Sequence, residues 1–97
     1  MVSPHNVLSP KTQIKRIVSV IHDGTINGDE FSLAELELHN GDIVIGIRHD
    51  YSYWSKNPDK GYPLIMGQYP CWFILPELNK LSVVIQKYVS SKGSKTI

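Results

Sequence analysis

The 97-residue chain has little cysteine, little excess charge and no long apolar run, and each shortage excludes a class of protein. One cysteine, Cys71, excludes an internal disulfide framework and a cysteine-rich zinc site. A net charge of +1 excludes a nucleic-acid binder that works by bulk charge. No apolar run approaches the roughly 20 residues that span a bilayer, and residues 1–6 do not resemble a signal peptide. We therefore expect a cytoplasmic protein with no membrane partner.

What the chain does have is the composition of one small globular domain. Hydrophobic residues make up 41% and charged residues 20%, close to the globular average, and the length allows a single core. Two Ser-Pro steps and few apolar residues predict a flexible N-terminal arm over residues 1–12. A polar stretch predicts a flexible C-terminal tail over residues 90–97. We expect the domain itself to span residues 13–89.

Three segments carry apolar residues in a pattern typical of secondary structure. Ile14 to His22 is rich in β-branched residues and predicts a strand, and its apolar residues on both parities favour a central strand covered on both faces. Cys71 to Leu75 predicts a short buried strand bounded by two prolines. Pro76 to Val89 predicts a helix with proline in its first turn. The apolar stripe of this helix consists of Leu78, Leu81, Val84, Ile85 and Tyr88.

A hairpin is predicted at Asn40-Gly41, because both residues of this dipeptide tolerate the positive φ that a two-residue turn requires. That turn places Leu36 opposite Ile45 and puts the isoleucines of the second strand in the core. Arg48 then points away from the core. A capping-box sequence in the first strand is also compatible with a helix, but this helix would have barely two turns, so we prefer the strand.

Together these elements predict an α+β fold, namely a small antiparallel β-meander of three to five strands with one C-terminal α-helix packed on one face. The predicted apolar residues of this helix would provide that packing. An edge strand of such a sheet can pair with a second copy of the chain, so we expect a monomer or an edge-strand homodimer.

Charge is distributed unevenly along the chain. Residues 23–50 carry seven acidic residues and one arginine, a net charge of −6, whereas residues 51–97 carry six lysines and two acidic residues, a net charge of +4. A mixed, soluble surface is the simplest interpretation. The alternative is that the acidic hairpin binds a basic partner.

The segment after the hairpin combines aromatic and basic residues, the types that dominate binding hot spots. A single helix covers only one face of a sheet, so alternation should leave at least one of the rings accessible. We therefore predict a binding surface formed by Arg48, Tyr51, Tyr53, Trp54 and Lys56. The alternative is that these rings close the end of a small core.

The sequence contains none of the linear motifs of phosphate-binding loops, zinc proteases or serine hydrolases. Apolar neighbours raise the pKa of a thiol, so we expect Cys71 to be buried and without a catalytic role. Two His-Asp steps, His22-Asp23 and His49-Asp50, would suit zinc or iron if the two strand ends were neighbours. Pairing of each histidine with a local carboxylate or carbonyl is the simpler expectation. We predict no catalytic residue, no metal and no cofactor.

The leading hypothesis is a small cytosolic protein-binding or regulatory module that contacts another protein through the aromatic segment or the acidic hairpin. The first alternative is a single-stranded nucleic-acid binder that stacks bases on the rings and holds phosphates with Arg48, Lys56 and Lys60. The second is a small metal-dependent hydrolase that uses His22 and His49.

Overall fold

The structure, a computed structural model, describes residues 2–54 and 57–96. Within these residues the strands are β1 (Ile14–His22), β2 (Phe31–Leu38), β3 (Ile43–His49), β4 (Leu64–Ile65), β5 (Tyr69–Pro70) and β6 (Phe73–Ile74). The helices are α1 (Gly24–Asn27) and α2 (Leu78–Thr96), with short 3-10 turns at Pro4–Asn6 and Pro58–Lys60. An antiparallel sheet has the order β1-β2-β3-β6, and β4 pairs with β5. The predicted α+β class, an antiparallel meander with a C-terminal helix, is confirmed.

Strands β2 and β3 form the predicted hairpin, but their register differs by one residue from the predicted one. Leu36 lies opposite Val44 rather than Ile45. The amide of Gly41 donates to the carbonyl of Leu38 at 2.9 Å, and Gly41 adopts φ 92°. These are features of a three-residue loop that ends in the left-handed conformation, and an Asn-Gly dipeptide suits this loop as well as the two-residue turn. The predicted register was therefore wrong.

The shift by one residue exchanges the two faces of β3. The inner face, which packs on the core, carries buried residues of β2 (Ser32, Ala34 and Leu36) and of β3 (Gly46 and Arg48). The outer face carries the three isoleucines that were predicted for the core: Ile43, Ile45 and Ile47. Arg48, predicted to point towards solvent, is consequently buried.

Strand β1 has the predicted bounds but lies at the edge of the sheet rather than at its centre. Its pairing with β2 shifts by one residue at three places, as β-bulges produce. Because each bulge adds a residue, the inner-face positions recur every third residue, at Ile14, Ile17 and Val20. The apolar residues on both parities therefore reflect bulges and not two covered faces. A bulged edge is also a poor template for pairing with a second sheet.

The core lies between the inner face of the sheet and segments outside it. Its buried members are Val7, Ile14, Ala34, Leu36 and Trp72. The indole Nε1 of Trp72 donates to the carbonyl of Val7 at 2.7 Å, and the amide of Trp72 donates to the carbonyl of Ser9 at 2.9 Å. The N-terminal segment, which we expected to be a flexible arm, thus supplies part of the core. It has no apolar periodicity because it packs through single side chains, such as Val7 and Pro4.

Helix α2 begins two residues later than predicted, because Glu77 caps it. The Glu77 carboxylate accepts hydrogen bonds from the amides of Asn79 at 2.9 Å and Lys80 at 3.2 Å, which satisfies donors that the first turn leaves free. The helix then continues through Thr96, into the residues predicted to form a tail. In the part of the chain that the structure describes, no helix is both long enough and apolar enough to cross a bilayer.

The apolar stripe of α2 does not have the packing that the sequence predicted. Leu78, Ile85 and Tyr88 are exposed, and only Leu81 is half-buried. Residues 75–77 alone join β6 to α2, and the amide of Leu75 is held at 2.8 Å by the carbonyl of a β3 residue. After this connection α2 leaves its apolar stripe exposed instead of packing it on the sheet. The radius of gyration is 14.6 Å, compared with about 12.5 Å for a compact domain of this length.

Candidate binding surface

The end of β3 directs two charged side chains into the interior. Arg48 is 1% exposed, and Asp50, directly after the strand, is fully buried. The guanidinium Nη1 of Arg48 donates to the carbonyl of Cys71 at 3.0 Å, and Nη2 donates to the carbonyl of Lys60. Arg48 Nε lies 3.8 Å from Asp50 Oδ1. Arg48 therefore holds two distant loops against the sheet, and its charged group is not available to a partner, contrary to the sequence prediction.

Asp50 is bound from the β2 side. The Ser32 hydroxyl donates to Asp50 Oδ2 at 2.6 Å, and the Ser32 oxygen accepts from the amide of Gly24 at 3.0 Å. Burial raises the pKa of Asp50, while the Ser32 hydrogen bond and the Arg48 charge act in the opposite direction. Burial also lowers the pKa of Arg48, and the charge of Asp50 opposes this change. The pair is a structural clamp beneath the surface rather than a contact site.

A close backbone approach completes this clamp. Gly61 adopts φ 74° and ψ −151°, a conformation open almost only to glycine. A Cβ at this position would overlap the carbonyl oxygen of His49 and would lie 2.5 Å from Arg48 Nη2. The absence of a side chain at Gly61 therefore lets the loop reach the guanidinium.

Beyond Asp50 the chain returns to the surface, where four rings meet. Tyr53 is 80% exposed and Trp54 is 52% exposed. The ring centroids of Trp54 lie 4.9 Å from His49 and 5.1 Å from Tyr53, both close to perpendicular, and 6.3 Å from Tyr62. Edge-to-face contacts of this kind orient the rings relative to one another. We call His49, Tyr53, Trp54 and Tyr62 the aromatic patch.

Backbone hydrogen bonds anchor the base of the aromatic patch to the sheet. His49 and Tyr62 exchange a pair of them, at 2.7 and 2.9 Å. Ser52 is fully buried, and its amide donates to the carbonyl of Pro58 at 3.1 Å. The neighbours of Ser52 are thereby placed so that Tyr53 projects from the surface. The patch has a rigid support although it belongs to a loop.

The structure separates the predicted binding residues. Tyr53 and Trp54 are in the aromatic patch, Tyr51 is half-buried, and Arg48 lies in the interior. Lys56 lies outside the described residues.

A shallow pocket of about 210 Å³ connects the aromatic patch with the outer face of the sheet. Its lining consists of Ile47, Arg48, His49, Tyr62, Pro63 and Phe73. Phe73 is exposed and pairs with Ile47 on the outer face. Sequence reasoning missed this extension, because the faces of Ile47 and Phe73 become known only once the register is known.

The two His-Asp steps are close enough for the charges of His22 and Asp23 to act on Asp50, but their side chains have different partners. His22 Nε2 lies 2.8 Å from Asp29 Oδ2, and its ring stacks on Phe31 at 4.8 Å, whereas His49 belongs to the aromatic patch. Asp23 caps α1 by accepting from the amide of Thr25 at 2.9 Å. Among residues 2–54 and 57–96, no three His, Cys, Asp or Glu side chains come together as a metal site requires.

Cys71 is buried, as predicted, and burial raises the pKa of its thiol. A thiol in this state is a weak nucleophile.

The predicted acidic hairpin is partly neutralised on its outer face, where Arg16 Nε donates to Glu37 Oε1 at 2.6 Å.

Comparison of the chain with protein families, with curated proteins and with solved structures gives no match.

Proposed function

We propose that this chain is a small protein-binding module whose contact surface is the aromatic patch. The observation that carries the proposal is the exposure of Tyr53 and Trp54 within a set of rings held in fixed orientation. Rigid aromatic side chains offer a large contact area and lose little conformational entropy when they bind. Clustered apolar groups on a surface mark interaction sites more often than single exposed residues do.

The disposition of positive charge supports a protein partner over single-stranded nucleic acid. Binding of single strands combines stacking rings with a positively charged groove for the backbone. Arg48, the cation closest in sequence to the rings, donates to the carbonyls of Cys71 and Lys60 in the interior. Lys60 is exposed and Lys56 lies outside the described residues, so the described part of this segment supplies one exposed lysine, a small part of such a groove. No observation on the described residues favours the hydrolase alternative.

The test compares three immobilised proteins: the wild type, the double variant Tyr53→Ala/Trp54→Ala and the control Tyr69→Ala. Tyr69 is as exposed as Trp54 but lies on β5, outside the patch. Proteins captured from an extract of the source cell are quantified by mass spectrometry. The double variant should retain at least about tenfold less of each partner that the wild type and the control retain, since hot-spot residues each contribute about 2 kcal/mol to binding.

A second measurement uses the different surroundings of the two tryptophans. Trp72 is buried and Trp54 is half exposed, so acrylamide should quench mainly the fluorescence of Trp54. The captured partner should protect Trp54 from quenching. Salt-sensitive protection by a single-stranded oligonucleotide would instead assign a nucleic-acid ligand. Equal capture by the double variant and the control, with both variants folded, would refute the proposal.

A further inference from the structure

The outer face of the sheet leaves an apolar strip open to solvent. We define the isoleucine strip as Ile43, Ile45, Ile47 and Phe73, which lie on the same face of β3 and β6. Ile43 and Phe73 are exposed, and Ile45 and Ile47 are half-buried. An apolar sheet face is normally covered by another layer of secondary structure.

The same chain carries a second apolar surface that is open to solvent. We define the helix stripe as Leu78, Leu81, Ile85, Tyr88 and Val89, which recur at the spacing that aligns side chains along one side of a helix. All of them except the half-buried Leu81 are exposed. A helix in a protein gains most of its stability from the packing of such a face.

We propose that the helix stripe of one copy covers the isoleucine strip of a second copy, and the reverse, so that the protein is a two-fold symmetric dimer with two equivalent helix-on-sheet contacts. This arrangement covers both apolar surfaces with one type of contact. The self-complementary surface it needs is the usual basis of a symmetric dimer. The proposal goes beyond the proposed function, because the aromatic patch lies past the end of the isoleucine strip.

The dimensions of the two surfaces match. From Leu78 to Val89 the helix stripe rises about 16 Å, and from Ile43 to Ile47 the strand extends about 14 Å. The helix stripe is thus long enough to cover β3 from Ile43 to Ile47.

The charges of the two surfaces are complementary. Residues 78–96 carry four lysines and no acidic residue. The outer face presents Glu35 and Glu37 next to the isoleucine strip, and Arg16 neutralises part of this charge through its bond to Glu37. Attraction between opposite charges guides association of such surfaces.

Two other arrangements fit less well. Pairing of two α2 helices would bring segments that carry only positive charge together and would leave the isoleucine strip open. Packing of α2 on its own sheet is not what the structure shows, since Leu78, Ile85 and Tyr88 are exposed. The second copy is the occupant that satisfies both surfaces.

The first experiment measures molar mass by light scattering coupled to size-exclusion chromatography. The wild type should have twice the chain mass of 11.0 kDa. Ile85→Glu should be monomeric, whereas the control Val83→Glu should remain dimeric. Ile85 and Val83 are 50% and 54% exposed on the same helix, but Val83 is on the side opposite to the helix stripe. A monomeric wild type, or a dimer that Ile85→Glu leaves intact, overturns the proposal.

The second experiment identifies the contact by cross-linking with a short bis-maleimide. Cys71 is buried, so the wild type serves as the unreactive control. A mixture of Ile45→Cys and Ile85→Cys chains should give a cross-linked heterodimer. If cross-links form only inside single chains of the Ile45→Cys/Ile85→Cys double variant, the helix packs on its own sheet. If two Ile85→Cys chains cross-link with each other but not with Ile45→Cys chains, two helices pair. Either result, or no cross-link, overturns the proposal.

The outcome is independent of the aromatic patch. The monomeric variant Ile85→Glu should still capture the partner in the assay of the proposed function, and the Tyr53→Ala/Trp54→Ala variant should still be a dimer. Failure of one proposal can therefore be distinguished from failure of the other.

Discussion

Replacement of Asp50 by alanine should remove a large share of the stability of this protein. The substitution deletes the acceptor of the Ser32 hydroxyl, 2.6 Å away, and leaves the guanidinium of Arg48 buried without its carboxylate. A buried hydrogen bond to a charged group contributes about 1.5–3 kcal/mol. Loss of one partner from a buried ion pair costs about 3–5 kcal/mol in all, because the remaining charge is uncompensated. We expect Asp50→Ala to lower the free energy of unfolding by about 3–5 kcal/mol.

The expected loss is large compared with the free energy of unfolding of a chain of this length, which is about 5–15 kcal/mol. Urea denaturation at pH 7, followed by fluorescence of the buried Trp72, measures it. For a urea dependence of about 1.5 kcal/mol per molar, the midpoint should fall by about 2–3 M. The matched control is Asp59→Ala, because Asp59 is an exposed carboxylate on the Pro58–Lys60 turn. Asp59→Ala should change the free energy of unfolding by no more than about 0.5 kcal/mol.

A double-mutant cycle measures the coupling between Arg48 and Asp50. If the buried charge of Arg48 causes the loss, then Arg48→Met/Asp50→Ala should be less destabilised than the sum of the two single variants. Part of the cost of Arg48→Met will remain, because the carbonyls of Cys71 and Lys60 lose their donor. Additive effects, or an Asp50→Ala variant as stable as Asp59→Ala, would refute the interpretation of this pair as a clamp.

Three further predictions concern the same region. Burial raises the pKa of Asp50 in the folded state. The stability of the wild type relative to Asp50→Asn should therefore fall as the pH rises from about 3.9, the ordinary pKa of aspartate, through the raised pKa. An increase of this relative stability, measured by urea titrations over the same pH range, would contradict the prediction. Gly61→Ala should lower the free energy of unfolding by more than about 4 kcal/mol or prevent folding. Gly67→Ala, at φ 71° with open space around it, should lower it by about 1–2 kcal/mol. Similar melting temperatures of the two variants would contradict this prediction. Cys71→Ser should cost about 1–3 kcal/mol, and a bulky maleimide should label the native thiol far more slowly than the unfolded one.

Much of the secondary structure could be predicted, because it depends on short-range patterns. Strand β1 has the predicted bounds, the hairpin lies at the Asn-Gly dipeptide, and a helix follows Pro76. We also expected at least one ring of the aromatic segment to be accessible, and Tyr53 and Trp54 are exposed. The structure differs from the basis of that expectation, because α2 leaves its stripe exposed and Arg48 points inwards.

The register could not be predicted, because it depends on contacts between distant parts of the chain. A Cβ at Gly46 would lie 2.6 Å from Leu36 Cδ1 and 3.1 Å from the Trp72 ring, so the inner face needs glycine where the indole packs. The burial of Arg48 depends on a carbonyl of Cys71, which follows it by 23 residues. The predicted register satisfied the alternation of apolar residues equally well, and no local pattern could decide between the two.

The sequence by itself determined where the strands, the hairpin loop and the C-terminal helix form, because backbone preferences and hydrophobic periodicity act over a few residues. The tertiary structure alone decided which face of β3 became the core, which placed Arg48 inside and the isoleucine strip outside. It also decided that α2 leaves its apolar stripe exposed. A shift of one residue costs little in local geometry but reverses the direction of every side chain in a strand. Contacts with distant segments, such as the packing of Val7 and Trp72 and the hydrogen bond from Arg48 to Cys71, therefore select the register.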